Sequence, residues 1–150
     1  MTLYDRDFHA WANEQASLLR ARSGNALDWD NVAEELEGLG EQQRSELRSR
    51  YEVLLVHLLK WLLQPTKRGQ SWRLTIAEQR RRIADHLEEN PSLKADDTAI
   101  FARPYELARY PAARQMRLSL ERMPSAPPFT REQTLDLDFW PEAGGNTDKA

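Results

Sequence analysis

Between Val53 and Leu63 the chain reads VLLVHLLKWLL, nine apolar residues in eleven. At 100° per residue, Leu47, Tyr51, Leu54, Leu58 and Leu62 fall on one arc, which Leu55, Val56, Leu59 and Leu63 widen. A helix apolar around most of its circumference has to be surrounded by other elements. The segment therefore predicts a central helix in an all-α fold. It is far short of the roughly 20 residues that a membrane span requires. Glu46, Arg50, His57, Lys60 and Gln64 share the narrow polar strip that remains.

The pattern extends upstream. Val32, Leu36, Leu39, Gln43, Leu47 and Tyr51 step by three or four, so one face runs from Asn31 to Leu63. Gly38 and Gly40 interrupt it and predict a kink or short break. A first helix is expected from Asp5 to Arg22, ended by Ser23-Gly24-Asn25, with Asp28 as N-cap of the next. Pro65 stops the central helix. Residues 65–71 (PTKRGQS) make a basic turn, and Ser71 is expected to cap a helix carrying Trp72, Ile76, Ile83 and Leu87 on one face.

Asn90-Pro91 ends that helix. Helical pattern resumes at Leu93 and runs to about Arg122, with Pro104 and Pro111 expected to kink or divide it. Thr130 with Gln133 forms a capping-box pattern. Leu137, Phe139 and Trp140 are then expected to dock on the bundle. All five tryptophans are expected at the core or its edge. The whole predicts one helical domain over residues 1–141, a bundle of about five helices with an irregular C-terminal end, followed by a disordered tail at 142–150.

Composition narrows the function classes. A chain of 150 residues with no cysteine has no disulfide, thiolate metal site or cysteine nucleophile. The amino terminus lacks an apolar leader segment, and a cytoplasmic setting is the expectation. Net charge is −3, yet residues 1–64 carry 7 basic and 11 acidic side chains and residues 65–122 carry 12 and 8. Such segregation favours pairing within the chain or between protein chains over a polyanion surface.

Six segments in order, YDRDFHAWANEQASLLR, LDWDNVAEELEGLG, HLLKWLLQP, SWRLTIAEQRRRI, NPSLK and LDLDFWP, span residues 4–141. Together they resemble the bacterial family known as domain of unknown function 29. The resemblance implies a mainly helical protein and brings no activity, cofactor or site residue with it.

Candidate chemistry gathers around the central helix. His57, beside Lys60, has the side chain of a general base. Glu35 and Asn31 lie on the apolar border of their helix, whereas Glu34, Glu37 and Glu41 point away from it. A polar group at a core edge needs a partner. Glu35 and Asn31 are therefore expected to pair with His57, Lys60 or an arginine, and Arg80, near the apolar face of its helix, is the preferred partner of Glu35. Lys67, Arg68 and Arg73 surround a helix start and are candidates for binding an anion. No metal site is expected, since no Glu-x-x-His occurs and His9, His57 and His86 lie on three segments. No cofactor is expected either.

Without a phosphate loop, a nucleophile motif or a one-sided basic face, the leading expectation is a protein-interaction or assembly module with a protein partner or a second copy. The alternative is an enzyme acting on a phosphorylated or nucleic-acid substrate. It would use His57 as base, Glu35 and Asn31 to orient it, and Lys60 and Arg80 as clamps. Nucleic-acid binding through residues 67–82 is a weaker one, because the arginines of the 80–82 run radiate in three directions on a helix.

Overall fold

A single aspartate divides the first expected helix in two. In the computed structural model, which describes residues 1–142, α1 (Leu3–Arg6) opens with a reciprocal capping box between Thr2 and Asp5. Asp7 then leaves helical geometry, and its carboxylate accepts from the Ala10 N–H at 2.9 Å to start α2 (Phe8–Arg20). An aspartate that caps a new helix competes with continuation of the old one.

The end of α2 also differs from expectation. Arg22 stands at φ 55, with its N–H on the Leu19 carbonyl and the Ser23 N–H on that of Leu18. This is a Schellman ending, with arginine in the place usually taken by glycine. A 3-10 turn (Gly24–Ala26) leads into α3 (Trp29–Leu63).

The described chain forms two compact units, Met1–Gln42 and a second that begins at Gln43. Within the first, the rings of Tyr4 and Phe8 pack at 4.8 and 5.5 Å from that of Trp11, which is buried together with Leu27. The expected N-cap position of Asp28 acquires tertiary duties. Its carboxylate accepts from the Trp11 indole at 3.2 Å and from Asn31 at 2.8 Å, while its own N–H donates to Gln15.

The break expected at Gly38 and Gly40 does not occur, because α3 is one helix of 35 residues. A Cβ at either glycine would meet nothing within 4 Å. These glycines therefore weaken the helix locally, by about 1 kcal/mol each relative to alanine, without interrupting it.

In the second unit, Leu47, Tyr51, Leu54, Leu55, Leu58 and Leu59 of α3 are fully buried, as the apolar wheel predicts. Against them lie α4 (Gln70–Glu89) and α5 (Ser92–Met116). His86 bonds to Gln43 while Lys60 sits over Trp72, so α4 runs antiparallel to α3. Helix α5 runs alongside α3, from Arg44–Asp96 through Tyr51–Asp97 to Lys60–Gln115.

Helix α4 starts one residue before Ser71, with Gly69 at its N-cap and a 3-10 turn at Pro65–Lys67 ahead of it. The Ser71 carbonyl instead accepts from Thr75. Pro104 and Pro111 both lie inside α5, which is undivided. The helix stops at Met116 rather than near Arg122. Arg117, at φ 56, repeats the Schellman ending seen at Arg22.

Helix α6 (Arg131–Leu135) opens with the capping box that Thr130 and Gln133 predict. Phe139 and Trp140 then pack on the core, whereas Leu137 is exposed. Of the five tryptophans, Trp29 departs from expectation and is 64% exposed. The expected disordered tail falls, from residue 143 on, outside the described residues. All described secondary structure is helical, and no described helix is long and apolar enough to cross a membrane.

Candidate functional site

Except for the exposed Lys67, the residues singled out in the sequence are held by partners of their own unit. In the first, Glu35 accepts the hydroxyl of Tyr4, a bond that helps push the Tyr4 pKa up to about 12. Asn31 donates to Asp28, and this bond is the main reason the Asp28 carboxyl lies below its usual range.

In the second unit, His57 Nδ1 lies 2.8 Å from the carbonyl of Val53, one turn back on its own helix. A carbonyl only accepts, so the proton is on Nδ1. Burial holds the His57 pKa below its ordinary value, against that hydrogen bond, and Lys60 lowers it further. Lys60, whose own pKa burial lowers, donates to Gln115 at 3.0 Å.

Arg80 is 2% exposed, yet the carboxylate expected beside it is replaced by backbone. Its guanidinium donates to the carbonyls of Thr134 (2.8 Å), Phe139 (2.8 Å) and Gln133 (3.4 Å) and lies 5.6 Å from the Trp140 ring. A fork of N–H donors thereby binds the C-terminal segment to α4. Arg68 spends its Nε on the Trp61 carbonyl at 2.7 Å. The Arg73 guanidinium lies 5.3 and 5.4 Å from the Trp61 and Trp140 rings, which pack on each other at 4.6 Å. Lys67 is exposed at the end of its turn. The geometry gives Arg68, Arg73 and Arg80 a packing role around two indoles.

The group that the sequence reading passed over is His86. It is 5% exposed, and its Nε2 donates to the Gln43 carbonyl at 2.8 Å. That bond assigns the tautomer and leaves Nδ1 as an acceptor, 3.7 Å from Glu46 Oε2 and beyond hydrogen-bond reach. The imidazole forms one wall of a polar cavity of about 180 Å³ shared with Glu46, Arg50, Arg82, Asp85 and Glu89. Arg50 grips Glu46 at 2.6 Å and, as the largest cause, holds its carboxyl below the ordinary range. The available signal was spacing. His86 follows Ile83 by three residues and so shares the apolar side of α4.

Residues 3–140 match the model of a protein family described as Domain of unknown function DUF29. The chain belongs to this family. No curated protein and no solved structure matches it significantly.

The first unit of this DUF29 chain carries several exposed large apolar side chains. Along the first turns of α3, Trp29, Leu36 and Leu39 are 64, 63 and 55% exposed. At 100° per residue they lie within about 80° of one another, on the face that the hydrophobic spacing assigns to packing. Val32, on the same face, is half-buried. Scattered exposed leucines are ordinary, but an aligned row with a tryptophan is a surface that the described residues leave uncovered.

Proposed function

We propose that this DUF29 chain acts through protein–protein contact. The carrying observation is the uncovered row Trp29, Leu36 and Leu39 on α3. Apolar surface stabilises by about 25 cal/mol per Å² when it leaves water, and aromatic and leucine side chains in a row are the usual anchors of a helical interface. Trp29 adds a rigid ring, its indole N–H already bound to the Gly24 carbonyl at 3.0 Å. A photo-crosslinking amino acid placed at Leu36 in cells tests the reading. A discrete adduct with an identified partner, or with a second copy, is expected; absence of any adduct under conditions where the chain is folded overturns it.

A second reading, an enzyme acting on a phosphorylated or nucleic-acid substrate, is favoured by one observation. A buried histidine whose Nε2 is bound to a carbonyl turns the other nitrogen of its neutral ring, an acceptor suited to a general base, toward a polar cavity that also holds three carboxylates and two arginines, Arg50 paired with Glu46 and Arg82 with Glu78. This reading moves the base from His57 to His86. Turnover of phosphomonoester or oligonucleotide substrates that His86→Gln abolishes, with unchanged circular dichroism, would support it; no turnover by the parent chain would remove it.

A further inference from the structure

The polar cavity of about 180 Å³ in the second unit has more negative charge than its own arginines offset. Glu46 and Arg50 reach it from α3, and Arg82, Asp85, His86 and Glu89 from α4. Both arginines already have partners, Arg50 in Glu46 at 2.6 Å and Arg82 in Glu78 at 2.8 Å. Asp85 and Glu89 have no hydrogen-bond or ion-pair partner among the described residues. They stand one turn apart on α4, a spacing at which like charges repel, so an added cation stabilises both.

A second feature of the wall points to an N–H donor. His86 is 5% exposed, and its Nε2 proton is committed to the Gln43 carbonyl. Nδ1 is left as an acceptor, 3.7 Å from Glu46 Oε2, which also only accepts. The other Glu46 oxygen is already taken by Arg50. Two acceptors side by side in a wall call for a donor between them. A single nitrogen with two or more N–H bonds reaches both at about 2.8 Å. A bridging water would satisfy the pair but offset none of the charge on Asp85 and Glu89. Among the described residues, no three His, Asp or Glu side chains are placed to hold a metal ion. An alkylammonium supplies charge and donors together, and the cavity has room for several heavy atoms behind it.

We infer that this cavity binds an aliphatic diamine, one ammonium bridging His86 Nδ1 and Glu46 Oε2 and the other lying at Asp85 and Glu89. Such binding requires neither a protein partner nor turnover. Its charge is opposite to that of the phosphorylated substrate considered above.

Titration of the full chain, isotope-labelled at its histidine nitrogens, with putrescine tests this by NMR. A saturable shift of the His86 ring nitrogens is expected, with a dissociation constant on the order of 1 mM or tighter. His9 and His57 do not line the cavity and should stay unmoved. Butylamine, with one ammonium, should bind several-fold more weakly, and tetramethylammonium, without an N–H, more weakly still. The double variant Asp85→Asn, Glu89→Gln changes only exposed positions and so is compatible with folding. It is expected to weaken putrescine binding roughly tenfold. Arg82→Gln, also at an exposed position, removes a cation from the lining and should tighten it.

Equal shifts with tetramethylammonium, shifts at His9 or His57 in place of His86, unchanged binding by the double variant, or no saturation would overturn the inference. So would displacement of putrescine by zinc, which would assign the cavity to a metal ion. Saturable shifts of His86 with inorganic phosphate instead of putrescine would return the cavity to the enzyme reading. None of these results bears on the contact proposed at Trp29, Leu36 and Leu39, which the crosslink tests by itself.

Discussion

The phenolic hydroxyl of Tyr51 on α3 donates to Oδ1 of Asp97 on α5 at 2.7 Å, and both residues are buried. Arg131, the first residue of α6, donates to the other carboxylate oxygen. Three helices thus meet on one carboxylate. Burial, then the bond to Asp97, push the Tyr51 pKa up, so the hydroxyl keeps its proton as a donor. Asp97→Ala removes the acceptor of both donors and leaves Arg131, in a half-buried site, with only the exposed Glu132 carboxylate at 3.1 Å. A loss of about 3 kcal/mol or more is expected, against about 1–2 kcal/mol for Tyr51→Phe. Urea denaturation measures both; equal small losses would show that the site relaxes around water.

Gly38→Ala and Gly40→Ala should each raise stability, because the added methyl meets nothing within 4 Å and the backbone is already helical. About 0.8–1 kcal/mol per site is expected from helix propensity. Denaturant midpoints of the single and double variants check this. A destabilising effect would reveal that the glycines serve a conformation other than the helix described.

Arg117→Gly should also stabilise, by up to about 1 kcal/mol, since Arg117 is held at φ 56 where a side chain is strained. Its side chain is exposed and has no hydrogen-bond or ion-pair partner among the described residues, so little is lost. Arg22→Gly at the end of α2 is the internal control, with the same geometry at φ 55. Differential scanning calorimetry reads the change.

The burial-lowered pKa of His57 makes stability depend on pH with a defined sign. The folded chain binds the proton less readily than the unfolded one, so the contribution is fully present above about pH 6.5, the ordinary histidine value, and is lost as pH falls below it. His57→Gln should flatten this part of the profile in denaturation series between about pH 5 and 8. A slope unchanged in the variant would place the titrating group elsewhere.

The parts legible in the sequence were those that depend on local spacing. The buried arc from Leu47 to Leu59, the stop at Pro65 and the capping box at Thr130 follow from periodicity and backbone chemistry alone. The failures have two physical causes. Single polar residues did more than one job: Asp7 capped a helix inside an apparent helix, and Arg22 and Arg117 took positions normally left to glycine. Partner identity also depends on tertiary placement. A wheel locates Glu35 and Arg80 at core edges, but does not tell whether the acceptor will be a carboxylate or three carbonyls. His86 escaped notice for the same reason, because its bond to Gln43 links residues 43 positions apart.

Arg80 gives the C-terminal segment an unusual mode of failure. Residues 133–139 present three carbonyls to one side chain, and the Gln133 carbonyl also accepts from the Asp136 N–H at 3.2 Å. Loosening there does not unzip residue by residue, since withdrawal of a single guanidinium releases the Thr134 and Phe139 carbonyls together and leaves that of Gln133 to the Asp136 N–H alone. Amide exchange across Thr134–Trp140 should accordingly show one shared opening free energy instead of a gradient, and a protease should find this stretch either closed or wholly accessible.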